Sequence, residues 1–164
     1  MKTIISALPA LLFFLLIACN NNAENDKSPD ASSPKATADS LEKEVTEVHN
    51  IVMPKSMKIP DIRKEISRMM DSIKKLAPKE REAAASYLSK LNTLDKDLAN
   101  AYDSMENWMV RFGNKLQDFY NDSLKISAEE KIQYYSQEKI NVDKIKVAVL
   151  ENVRKADSLL KAKF

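Results

Sequence analysis

The chain has 164 residues, with 26 Lys and Arg against 24 Asp and Glu, one histidine, one cysteine and one glycine. The near balance of charge excludes the one-sided basic excess of a nucleic-acid binder, and a single cysteine excludes both an intramolecular disulfide and a thiolate metal cluster within the chain. One glycine among many Lys, Glu, Leu and Ala residues points to long helices rather than sheet.

The N-terminus carries Lys2 and then an apolar run through Leu11, Phe13, Leu15 and Ile17, of signal-peptide length. Pro9 and the polar residues after Cys19 leave it short of the roughly 20 apolar residues that a membrane span needs. Leu16-Ile17-Ala18-Cys19 resembles a lipobox, with an aliphatic residue three before the thiol and a small one next to it. Residues 1–18 are therefore expected to be a cleaved signal peptide, and Cys19 the lipid acceptor. Cleavage removes one lysine and no acid, leaving 25 basic and 24 acidic side chains.

Residues 19–37, with Asn20-Asn21-Asn22, Pro29 and Pro34, show no apolar periodicity and read as a disordered tether. Such a tether would hold the body about 20–25 Å from the lipid. The remainder, 38–164, reads as one helical domain.

From Asp39 the apolar positions fall on a heptad: Leu41, Val45, Val48, Val52, Ile59, Ile62, Ile66, Met69, Ile73 and Leu76, with only Lys55 out of place. The register survives Pro54 and Pro60, so the spacing predicts one long arm, 39–76, kinked at those prolines. The alternative is two helices, 39–53 and 60–76. Pro78 opens a second helix with a seam through Leu91, Leu94, Leu98, Met105, Trp108 and Phe112, and Gly113 is expected to end it. Asn114 to Lys125 is a short helix or a connection. Ser127-Ala128-Glu129-Glu130 matches a capping box, and the third helix continues through Tyr135, Val142, Ile145, Val149, Val153 or Asn152, Ala156 and Leu159. The expected fold is all-α, an elongated antiparallel three-helix bundle.

Candidate chemistry is sparse. His49 reads as a partly exposed residue flanking the seam; a metal ligand beside Glu42 or Glu44, or a pH-sensitive contact, is the functional alternative. Six methionines follow the leader, of which Met69, Met105 and Met109 fall on the seam. With no dense methionine cluster and no Met–His pairing visible, neither a metal nor a cofactor is expected. Trp108 is expected to cap the core with its N–H on a backbone partner; the other reading makes Trp108, Phe112, Phe119 and Tyr120 an exposed aromatic tip for a partner. The charged residues, including Asp95, Asp97 and Asp103, are placed on solvated faces. No phosphate loop, nucleophile elbow or catalytic triad is present, so no enzyme is expected.

The strings Val48-His49-Asn50-Ile51-Val52-Met53-Pro54-Lys55 and Asp103-Ser104-Met105-Glu106-Asn107-Trp108-Met109 resemble a group of small lipoproteins of Gram-negative bacteria labelled "viral A-type inclusion protein repeat" proteins. The resemblance covers about residues 40–112. It implies a lipidated helical bundle and supplies no catalytic residues. Such relatives often carry an acidic residue after the histidine, where this chain has Asn50, which counts against a metal site there.

The expected role is an envelope-anchored bundle, held on the membrane through Cys19 and facing the periplasm from the outer membrane, that acts as a spacer or binds another envelope protein. A monomer is favoured and no nucleic acid is expected. The alternative is a holdase-like or small-ligand-binding lipoprotein with a cleft at the kink, around His49, Met53, Pro54, Met57, Ile59 and Pro60.

Overall fold

The computed structural model describes residues 33–162. Among them there is no strand, and five α-helices follow in order: α1 (Pro34–Ser56), α2 (Ile59–Lys74), α3 (Pro78–Ala83), α4 (Ala85–Phe119) and α5 (Ala128–Lys161). A single 3-10 turn, Asp122–Leu124, lies between α4 and α5. The expected signal peptide, Cys19 and most of the expected tether fall outside the described residues.

Helix α1 begins at Pro34, five residues before the expected start, so the end of the expected tether is helical. The cause is a cap: the Ser33 side chain accepts from the Ala36 N–H at 3.2 Å, and Pro34 occupies the first turn, where its missing N–H costs nothing. Ala38 is buried seven residues before Val45, extending the seam back by one heptad.

The helix runs through Pro54 and breaks only at Met57 and Lys58. Pro60 cannot donate to the Ser56 carbonyl and its ring crowds it, so the ladder tightens: Lys58 N–H reaches the Lys55 carbonyl at 3.1 Å, three residues back. Met57 and Lys58 both keep right-handed helical dihedrals, and the chain therefore leaves the break in phase. Ala38, Val45, Val52, Ile59, Ile66 and Ile73 are buried every seventh residue across it. This is the bend expected of the first arm. At the out-of-place position Lys55 is exposed and Ser56 is buried instead, its hydroxyl having no hydrogen-bond partner. Ser56→Ala removes a buried group that has lost its water, and should raise the unfolding free energy by about 1–3 kcal/mol in urea denaturation.

Pro78 does open the second arm, which is interrupted only at Ala84. Helix α4 buries Tyr87, Leu91, Leu94, Leu98, Ala101, Met105, Trp108 and Phe112 at alternating spacings of four and three. It does not stop at Gly113 but continues to Phe119. No glycine among the described residues has a positive φ, so Gly113 is not a left-handed cap, and Leu116 and Phe119 carry the apolar face onward. A methyl group at Gly113 would meet nothing within 4 Å. Gly113→Ala should therefore stabilise α4 by about 0.5–1 kcal/mol, read as a rise in thermal midpoint.

Lys125 takes the left-handed conformation, φ 46°, in the turn before α5. The capping box forms as expected. Glu130 N–H donates to Ser127 Oγ at 3.2 Å, and Ser127 N–H donates to Glu130 Oε2 at 2.9 Å. The Ser127 N–H, and after it the Ser127 hydroxyl, which donates to Glu130 Oε2 at 3.0 Å, hold the Glu130 carboxyl below its usual range. On α5, Tyr135, Val142, Val149 and Ala156 are buried every seventh residue, and Asn152 rather than Val153 takes the buried place between the last two.

Cross-helix bonds fix how the elements lie. Trp108 pairs with Glu138, Asn152 with the Asp97 carbonyl and Tyr87 with the Leu159 carbonyl, so α5 runs back along α4. Arg63 grips Asp95 through two bonds of 2.8 and 3.2 Å, and His49 meets Met109, so α1 and α2 also run opposite to α4. Tyr135 bonds Glu42 and Lys139 pairs with Glu44, which sets α1 alongside α5 in the same direction.

Candidate functional site

The chemistry-bearing side chains gather where α1, the last third of α4 and the start of α5 meet. Trp108 is almost fully buried, and its Nε1–H donates to Glu138 Oε2 at 2.7 Å. The partner is a carboxylate on α5 rather than a backbone carbonyl, a charge-assisted bond that fixes the indole plane. Phe112 stacks on it at 4.7 Å between ring centroids. Phe119 meets Tyr134 and Tyr135 edge-on at 5.1 and 5.4 Å.

The exposed aromatic tip is therefore not what forms. Trp108, Phe112 and Phe119 are buried, because the continuation of α4 past Gly113 carries all three along the face that α1 and α5 cover. Only Tyr120 is exposed, at 67%. Its hydroxyl donates to Glu42 Oε1, while Tyr135 donates to Glu42 Oε2 at 2.9 Å, so one carboxylate receives two phenols.

Burial and the neighbouring carboxylates disfavour tyrosinate here. Tyr134 is pushed up to about 12, chiefly by burial, and Tyr120 to about 12, chiefly by its bond to Glu42. Tyr135 is driven upward by burial and then by Glu42. A folded value above the ordinary value of about 10 means that this stabilisation is complete below pH about 10 and is lost as pH rises through about 12. Tyrosinate absorbance should accordingly appear late and together with loss of helical circular dichroism. Ionisation of Tyr120, Tyr134 and Tyr135 near pH 10 with the helices intact would contradict it.

The kink cleft does not form either. Ile59 is completely buried in the core, Met57 turns outward at 66% exposure, and Pro54 and Pro60 are exposed. Because the helical phase survives the break, the residues around it keep their faces instead of parting. The groove beside the break is lined mostly by charged residues, Lys55, Lys58, Asp61, Glu65 and Asp157, together with Ile62 and Val153.

What the sequence did not disclose is the surroundings of His49. This residue is half-buried on α1, and its Nε2 stands 3.3 Å from Met109 Sδ on α4, while its Nδ1 stands 3.0 Å from Asn50 Oδ1. The imidazole also lies 5.9 Å from the indole of Trp108. Met53, one turn beyond His49 on the same side of α1, is half-buried against the core. A shallow groove of about 320 Å³ opens onto this pair, lined by Thr46, His49, Asn50, Trp108, Met109, Phe112, Gly113 and Leu116. Glu42 and Glu44, the expected carboxylate neighbours, are engaged elsewhere, by the tyrosines and by Lys139. Among the described residues no three His, Cys, Asp or Glu side chains are grouped as for a hard or borderline metal.

Among the described residues no helix is long and apolar enough to cross a membrane. These helices define an all-helical protein with a bent first arm and heptad-patterned seams. Compared with family models, curated proteins and solved structures, the chain matches none.

Proposed function

We propose that this chain is a lipid-anchored envelope protein whose body is an elongated antiparallel three-helix bundle, acting without catalysis as a spacer or as a docking element for another envelope component. In this reading α1 with α2, α4, and α5 are the three arms, and Cys19 carries the lipid at the outer membrane, facing the periplasm. The observation that carries the bundle is that Glu138, Glu42 and Asn152, three polar side chains along the seam, find partners on a neighbouring arm of the same chain. Glu138 receives Trp108, Glu42 receives Tyr135, and Asn152 donates to the Asp97 carbonyl. Polar seam groups fix register and partner number, because any other pairing strands them. Helix α4, at 35 residues, gives a body about 52 Å long, a reach suited to spacing. The likeness of the two sequence strings to small helical lipoproteins adds to the reading.

Sedimentation equilibrium of residues 33–164, with circular dichroism on the same sample, tests it. A strongly helical monomer is the expected result. A stable dimer would show that at least one seam is completed by a second chain, and would replace the spacer with an assembly unit.

A further inference from the structure

We propose that the groove between the start of α4 and the end of α5 binds a single-chain amphiphile with an anionic head, such as a fatty-acid anion. The groove has a volume of about 570 Å³, within the range of roughly 300–1,000 Å³ usual for small-molecule sites. It lies at the opposite end of α4 from the aromatic cluster, and it holds whether or not Cys19 carries lipid. Cross-helix bonds fix its register at both ends. Tyr87 donates to the Leu159 carbonyl at 2.8 Å and the Asn152 amide to the Asp97 carbonyl at 3.3 Å. The α4 wall, from Ser89 to Asp97, is about 12 Å long at 1.5 Å per residue, enough for a medium-length alkyl chain.

Charge is the first feature that selects the ligand. Lys90 enters from α4 and Arg154 and Lys155 from α5, so cations line both walls of one seam. Residues flanking a helix seam commonly carry opposite charges, and like charges brought together cost stability. Here the repulsion is not relieved within the described residues. Lys155 reaches Glu151, on its own helix, at 4.0 Å, while Lys90 and Arg154 form no ion pair. Asp97 is the one carboxylate in the lining, against three cations. An anionic head placed between the helices gives all three a shared partner, and the hydroxyls of Ser89, Thr93 and Ser158 can donate to the same head.

The second feature is the floor. Leu94 and Leu159 belong to the core and line the groove, and Leu159 keeps part of its surface open. Thr93, Ser158 and Ala162 beside them are too short to fold over the seam. The aliphatic stems of Lys90 and Lys155 carry apolar surface up the walls, with their ammonium groups in water. A bare anion gains nothing from such a floor, and a neutral hydrocarbon gains nothing from three cations. A molecule with an anionic head and an alkyl chain uses both.

The test uses the full chain in phosphatidylcholine nanodiscs and a laurate analogue with a photoactivatable diazirine at the end of its chain, the labelled positions being read by peptide mass spectrometry. Label should concentrate on residues 89–97 and 154–162 and fall away with excess laurate. Dodecyltrimethylammonium, which has the tail and the opposite charge, and inorganic phosphate, which has the charge and no tail, should not compete. Arg154→Gln combined with Lys155→Gln should lower labelling by about tenfold, and Asp97→Asn should raise it by about twofold. Ser158→Phe, which fills the groove and leaves its charges in place, should abolish labelling. Lys43→Gln, on α1 near the other end, should leave it unchanged. Circular dichroism establishes that each variant is folded. Label spread evenly along the helices overturns the site, as does labelling that survives Ser158→Phe. Competition by dodecyltrimethylammonium as strong as by laurate, or by phosphate alone, overturns the assignment of an anionic amphiphile.

Discussion

Trp108→Ala should lower the unfolding free energy by about 3–5 kcal/mol, the loss expected when a large buried aromatic is truncated in a packed core. Two further effects act at this position. The indole is the stacking partner of Phe112, and its N–H is the bond that Glu138 receives from α4. Truncation therefore leaves a cavity and also strips a partly buried carboxylate of one partner, although Asn141 still donates to Glu138 Oε1 at 3.1 Å. Trp108→Phe separates the two effects, since it keeps most of the apolar volume and removes the donor. It should cost less than the alanine, and pairing it with Glu138→Gln in a double-mutant cycle should show coupling of about 0.5–3 kcal/mol. Urea denaturation followed by circular dichroism reads all of these. A loss below about 1 kcal/mol for Trp108→Ala would mean that the indole is not the centre of that end of the core.

Cys19→Ala should abolish incorporation of labelled fatty acid and leave residues 1–18 attached. The two outcomes are linked, because the diacylglyceryl group is placed on the thiol before the leader is cut on its N-terminal side. Membrane partition alone is a poor readout, since an uncut leader is itself apolar. The proposed anchor would matter energetically because a single acyl chain binds a bilayer only marginally, with a constant of about 10⁴ M⁻¹, and stable attachment takes two. A diacylglyceryl cysteine supplies both from one residue. Labelling that persists in Cys19→Ala, or a mature N-terminus elsewhere than residue 19, would overturn the lipoprotein assignment.

The first arm was legible because burial follows period alone. Val45, Val52, Ile59, Ile66 and Ile73 stand seven apart, and a run that keeps phase across two prolines had to remain one face. The capping box was legible because it is local, with both partners within four residues. Gly113 misled because a lone glycine near the end of a periodic run has the chemistry of a cap, and only the burial of Phe119 shows that the run was not over. The start of α1 was missed by weighing apolar periodicity above Ser33-Pro34, which is a cap signal in its own right.

At the candidate site, the sequence showed which residues face inward but not which side chains on other helices they meet. His49 could be placed beside the seam, yet its encounter with Met109 depends on how α1 is aligned against α4. The Arg63–Asp95 pair and the Trp108–Glu138 bond were hidden for the same reason. Spacing left Val153 and Asn152 as alternatives, and the backbone carbonyl of Asp97, which accepts from the Asn152 amide, makes the polar one acceptable in the buried place.

In the proposed bundle, the strict sevenfold spacing of buried residues on both sides of Met57 and Lys58 would make the body a graduated rod. Each heptad is one division, about 10.5 Å of length. Removing or adding one division at the same level of all three arms would change the reach of the rod while every inward position keeps its face. Loss of a single residue, by contrast, would turn each position beyond it by about 100° and expose the seam. The distance that such a rod spans would therefore be adjustable by whole divisions without redesign of its interior.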